Sequence, residues 1–189
     1  MGQAAPGHVS HEVTLMTTGL LLLTTLAASA AQAPTVQPPS RETIIASARD
    51  VIGKARHCSL VTIGENGHPQ ARIVDPITPD DRFSMWIATN RLTRKVSQIR
   101  RDGRVTLLCF DQASASYVTL LGRAGLVDDP AAKRQHWKSD WAQIYKDGPD
   151  SRELMLIGVD PIRLEIVSES RGLVGSPTTW LPLAGDFPK

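Results

Sequence analysis

A mainly β chain is expected here: six or seven antiparallel strands closed into a β-barrel, with flanking helices. Three observations lead there. Short segments rich in β-branched and apolar residues recur from Cys58 to Val167. Turn-forming clusters such as Gly64-Glu65-Asn66-Gly67 and Asp111 to Ser116 separate most of them. Helical periodicity appears between strands only twice, whereas parallel pairing would need a crossover at almost every step. Strands joined mostly by hairpins close into a barrel and not into a parallel sheet.

Ser40 to Arg56 places Ile44, Ile45, Ala48, Val51, Ile52 and Ala55 on one helical face, with Ser40 as N-cap. Cys58 to Ile63 is a strand, and the Asn-Gly turn returns the chain as His68 to Asp75, with Pro69 at the strand entrance. Thr78 to Asp81 turns the chain into a strand from Arg82 to Ala88. Leu92, Val96 and Ile99 then follow helical spacing, Asp102-Gly103 ends that helix, and Arg104 to Phe110 is the next strand. Tyr117 to Val127 is a long strand whose Gly122 and Gly125 point to a bulge. Asp129 and Pro130 open a helix expected to run to about Tyr145, with Trp137, Trp141 and Ile144 on its core face. Leu154 to Val159 and Ile162 to Val167 read as two strands split by Asp160-Pro161, and residues 171–189 read as an irregular tail. The folded domain is thus residues 40–170.

Residues 1–39 differ in character. Leu15 to Ala28 is an apolar run too short to span a bilayer, and Ala28-Ser29-Ala30 fits a signal-peptidase pattern. No Lys or Arg precedes the run; only His8, His11 and Glu12 do. The segment reads as a signal peptide followed by a Pro-rich linker, with a disordered low-complexity tail as the alternative. The first reading implies a periplasmic or secreted protein with no lasting membrane insertion, and the second a cytoplasmic one. Cys58 and Cys109 are expected as two buried thiols, the usual setting of unpaired cysteine; an oxidising compartment would allow them to pair.

Composition narrows function. With 189 residues, 41% hydrophobic, and a net charge of +2, the chain has no basic bias that would suggest nucleic acid as partner. His57, His68 and His136 stand alone, no C-x-x-C occurs, and neither a G-x-S-x-G nor a P-loop is present. What remains is the junction Thr89-Asn90-Arg91-Leu92-Thr93-Arg94-Lys95, where a strand gives way to a helix. Free N–H groups, hydroxyls and two adjacent cations at a helix start suit a phosphate. A capped helix with a solvated basic first turn accounts for the same residues. Arg72, inside its strand, faces solvent or the same anion.

The order Gly67-His68-Pro69-Gln70-Ala71-Arg72, a strand ending in Thr89-Asn90, Thr93-Arg94-Lys95, Arg104 to Leu107, and Val118 to Ala124 resembles the pyridoxamine 5′-phosphate oxidase-like proteins, and most of all their general stress protein branch. The resemblance covers Ser40 to Ser168. It implies an FMN-binding split β-barrel, a homodimer with FMN at its interface, and an oxidoreductase working through the flavin on an unidentified small substrate. Carried over to this chain, Arg72, Thr93, Arg94 and Lys95 would hold the flavin phosphate. Ile73 and Val74 would lie along the isoalloxazine ring, Thr89 would follow the third strand, and Tyr117 would stand where the oxidases place a glutamine. Ile77 stands where the oxidases have a lysine, and their carboxy-terminal Arg and His for pyridoxal phosphate are not recognisable, so a true pyridoxamine phosphate oxidase is not expected. Alternatives are a non-catalytic flavin-binding or sensing module in a stress response, and a deazaflavin- or haem-binding split barrel.

Overall fold

The computed structural model describes residues 38–187; the expected signal peptide lies outside the described residues. Ser40 caps α1 (Arg41–Ala55), its Oγ accepting from the Thr43 amide at 3.2 Å, and the helix buries Ile44, Ala48, Val51 and Ile52. β1 (Cys58–Ile63) and β2 (Pro69–Val74) form the expected hairpin, with Gly67 at φ 79° in its turn. β3 (Met85–Asn90) leads into α2 (Arg94–Arg101), and β4 (Arg104–Asp111) and β5 (Ser116–Val127) form a second hairpin.

All strand pairs are antiparallel, in the order β2-β1-β4-β5-β6-β3, where β6 is Leu154–Val167. β2 and β3 are therefore the two ends of one curled sheet. Just past the end of β2 the chain touches β3 at an isolated bridge, Pro76 to Ile87, beside the Ile77 amide bonded to the Trp86 carbonyl at 2.8 Å. Along the rest of β2 that edge is open, and the barrel is split there. The interior holds Leu60, Ile87, Leu107, Leu120, Ile157, Leu164 and Ile166, all shielded from solvent.

Four sequence expectations change. Cys58 and Cys109, expected as free thiols, form a disulfide. They are directly opposed on β1 and β4, with Cα atoms 4.3 Å apart, the close approach of facing strand residues. The helix expected to reach Tyr145 stops early: α3 is Pro130–Gln135, followed by a 3₁₀ turn, Ser139–Gln143. Tertiary contacts outweigh its periodicity, because the His136 ring stacks on Trp86 at 3.9 Å and Lys138 and Trp141 turn toward Asp75. The two strands expected around Asp160-Pro161 are the single strand β6. A register shift opposite Leu121 and Gly122 absorbs the extra residue and accommodates a proline without an N–H. Gly122 is required there, since a Cβ would sit 2.6 Å from the Asp160 carbonyl oxygen. Finally, residues 171–189, expected to be irregular, contain β7 (Leu183–Asp186), paired to β6.

Candidate functional site

The split between β2 and β3 opens into a cavity of about 610 Å³. Ile73, Val74 and Asp75 form one wall, Ala88 and Lys95 another, and Trp141, Ile144 and Tyr145 a third. β2 contributes an open edge because no strand pairs with it on that side. α2 begins four residues after β3 ends, so its first turn stands at the end of the split.

Arg72 lies opposite Leu60 in the β1–β2 register, so its side chain shares the interior face of the sheet. Its Nη1 donates to Thr62 Oγ1 at 2.6 Å and to the Leu60 carbonyl at 3.3 Å, and its Nη2 donates to Gln98 Oε1 at 3.0 Å. Lys95 Nζ donates to Thr89 Oγ1 at 2.9 Å and Thr93 Oγ1 at 3.3 Å. Thr93 is the N-cap of α2, yet its hydroxyl makes no cap bond to the helix and donates instead to the Asn90 carbonyl at 2.8 Å. The α2 start thus keeps free N–H donors beside Lys95.

Arg72, Arg94 and Lys95 have no carboxylate partner among the described residues. They also act on one another. Burial and then the Arg94 charge lower the Arg72 pKa, and burial and then the Arg72 charge lower that of Lys95. The structure therefore gathers three cations whose mutual repulsion an anion would relieve. Thr89 and Thr93 join them through Lys95, and Val74 lines the adjoining cavity. Ile73 lines the same cavity although its side chain is 69% exposed. Tyr117 is not brought to this cluster. It lies on β5, three strands from β2, facing outward in register with Phe110.

Sequence reading missed the residues that hold the site in place. Gln98 is 4% exposed, accepts from Thr62 Oγ1 at 2.6 Å and donates to Gln70 Oε1 at 2.7 Å. Its signal was its position three residues after Lys95, which puts both on one helix face. Asp75 was missed as well: it accepts from Lys138 Nζ at 2.5 Å and Trp141 Nε1 at 3.2 Å, tying the third wall of the cavity to the end of β2. Asp75→Ala leaves that ammonium and indole without their acceptor. Limited trypsin digestion is expected to cut at Lys138 and Lys146 several times faster in this variant, with unfolding free energy lower by about 1–3 kcal/mol.

The burial of Lys95 gives a pH dependence. Its folded pKa lies below the ordinary 10.5, so the unfolded chain holds more protons in the alkaline window just under that value. Stability from this group therefore rises with pH through that window. Without phosphate, the melting temperature of the wild type minus that of Lys95→Met is expected to climb as pH rises toward 10.5, the ordinary lysine value. Saturating inorganic phosphate, which favours the charged ammonium, is expected to flatten or reverse that climb.

Among the described residues no group of His, Cys, Asp and Glu is placed to hold a metal, and no helix is long and apolar enough to cross a membrane.

Comparison with known proteins bears on the whole domain. A search of curated sequences gave no significant match. Among solved structures, a general stress protein 26-related protein of Clostridium acetobutylicum superposes with a TM-score of 0.65 at 18% identity, covering 78% of this chain and 96% of the other. General stress protein 26 of Bacillus anthracis gives 0.54 at 20% identity, covering 63% and 92%. A pyridoxamine 5′-phosphate oxidase-related, FMN-binding protein of Nostoc punctiforme gives 0.52 at 15%, covering 81% and 99%. At such identities these likenesses establish the fold. The family described as "Pyridoxamine 5'-phosphate oxidase like" matches residues 44–172, the greater part of the chain and all of the split barrel up to the end of β6. The chain belongs to the pyridoxamine 5′-phosphate oxidase-like family.

Proposed function

We propose that this protein binds FMN in the split and serves as a flavin-dependent oxidoreductase for a small substrate. The observation that carries this reading is the cluster Arg72, Arg94 and Lys95, without acidic partners, whose Lys95 lines a cavity of about 610 Å³. Such a cluster suits a phosphate dianion, and a cavity of that size suits a flat ring system. Arg72, Thr93, Arg94 and Lys95 would hold the phosphate, with Thr89 steadying the Lys95 ammonium. Ile73 and Val74 would lie against the ring, opposite Ala88.

Bound FMN supplies reversible two-electron chemistry. The chain's own groups bind, orient and shield. Asp75 and Lys95 on the cavity are already committed, to Lys138 and to two hydroxyls, while His57 and Tyr145 line it as well. The commitment of Asp75 and Lys95 favours a second reading, a flavin-binding or sensing module without turnover.

Homodimer formation belongs to the same proposal. Ile73, Leu108, Phe110 and Leu121 are all exposed on the outer face of β2-β1-β4-β5, an apolar surface that a second copy would cover. Tyr117 stands on this face, where it would meet the partner's site. Export is proposed on the leader together with the Cys58–Cys109 disulfide, a bond that oxidising compartments permit. FMN would then be acquired after translocation.

The test is direct. Purified full-length protein, supplied with FMN, should turn yellow, and mass spectrometry of the released ligand should return FMN. Reduction of that flavin by a nicotinamide donor, followed by reoxidation, would separate the enzyme from the sensor. Protein that takes up no FMN contradicts the proposal and leaves deazaflavin or haem to be tried.

A further inference from the structure

The environment of Arg72 is unusual in what it lacks. A guanidinium carries five N–H donors. Both Nη1 donors are taken, by Thr62 Oγ1 and the Leu60 carbonyl, and one Nη2 donor goes to Gln98 Oε1. Thr62 Oγ1 and Gln98 Oε1 are themselves 2.6 Å apart, so both sit on the same outer edge of the guanidinium plane. The other edge, Nε–H and the second Nη2–H, makes no hydrogen bond within the described residues. That pair is the fork by which arginine meets two oxygens of one phosphate.

Every acceptor holding Arg72 is neutral: a hydroxyl, a carbonyl and an amide. The amide is buried, and its orientation is fixed on both sides. Arg72 and Thr62 both donate to Oε1, while Nε2 donates to Gln70 Oε1. A carboxylate at this position would hold the guanidinium equally well but would neutralise it. An apolar side chain would leave it free to swing. Only a neutral acceptor fixes the arginine and leaves its charge undiminished.

We infer that Gln98, seated by Thr62 and Gln70, is a positioning residue that presents the free edge of Arg72 to a phosphoryl dianion, and thereby sets the preference for phosphorylated over unphosphorylated ligand. This rests on the phosphate reading of the site given above.

The experiment titrates full-length protein with FMN and with riboflavin, following flavin fluorescence, in the wild type, Q98E, Q98M, R72Q and R72Q/Q98M. Q98E is expected to lower the FMN-over-riboflavin affinity ratio by about tenfold or more, the scale of one charged hydrogen bond, with riboflavin affinity changed by less than about twofold. Q98M, which adds no buried charge, lowers the ratio by a smaller factor. R72Q/Q98M matches R72Q, because the glutamine acts through the arginine. A merely structural glutamine would weaken both flavins alike. The inference is overturned if Q98E and Q98M keep the wild-type ratio while R72Q loses it, or if Q98M lowers the ratio as much on the R72Q background as alone. If R72Q itself keeps the ratio, the phosphate reading is what fails. If wild-type protein binds neither flavin, inorganic phosphate becomes the probe. A rise in melting temperature in the wild type that is absent in Q98E then supports the neutral cradle, and no rise in the wild type refutes cradle and phosphate site together.

Discussion

Replacing Arg94 and Lys95 together, as R94Q/K95M, is expected to weaken FMN binding by about 10²- to 10⁴-fold, or ~3–6 kcal/mol. The range is twice the ~1.5–3 kcal/mol typical of a hydrogen bond to a charged group. The sum is an upper guide, because neighbouring charges do not act additively. Lys95 already meets Thr89 and Thr93, so its removal also frees those hydroxyls. Riboflavin, which lacks the phosphate, should be nearly indifferent to the change. The ligand-free variant should be at least as stable as the wild type, since it relieves the crowding of Arg72, Arg94 and Lys95. Isothermal titration with both flavins checks the first two statements, and thermal unfolding checks the third. Equal loss for FMN and riboflavin would show that the two residues shape the pocket without meeting the phosphate.

The second large effect concerns the disulfide. Cys58 and Cys109 are 51 positions apart in sequence, and both side chains are about 1% exposed. Closing a loop of that length removes unfolded-state entropy worth about 4 kcal/mol at 25 °C in the chain-entropy treatment. The variant C58A/C109A is therefore expected to lose ~3–4 kcal/mol of unfolding free energy, or roughly 10 °C in melting temperature for a domain of this size. Alanine is chosen because both positions are apolar and buried among core residues. β1 carries the Leu60 carbonyl and Thr62 that hold Arg72, so the variant also reports whether the site depends on this staple. Chemical denaturation gives the first quantity, and FMN titration of the folded variant gives the second. A loss under about 1 kcal/mol would mean that the strands hold their register without the bond.

The strands were legible because each is a short apolar segment bounded by turn residues. β1, β2, β4 and β5 fall within two residues of their expected ends. The bulge at Gly122 was legible for the same local reason. The partner of β1 across the sheet was not. β4 reaches β1 over β2, β3 and α2, and no local pattern states that pairing. The disulfide follows from that register, so it too was hidden. α3 shows the opposite failure. Its periodicity is real, but Trp86 and Asp75, distant in sequence, offer His136, Lys138 and Trp141 better partners than a continued helix would.

In the site, the cations announced themselves at a strand-to-helix junction, where charge of that sign is otherwise disfavoured. The neutral side chains that orient them did not, since Thr62, Gln70 and Gln98 look like ordinary strand and helix residues until three elements meet. Tyr117 was drawn in by family position alone, and within one chain it faces away from Arg72.

The most direct test of the account is a crystal structure of the full chain with FMN. The account predicts the flavin phosphate between the free edge of Arg72, Arg94 and Lys95 at the start of α2, with the ring along Ile73 and Val74. A phosphate bound elsewhere, or a flavin whose phosphate points to solvent while these three cations stay unengaged, would contradict it.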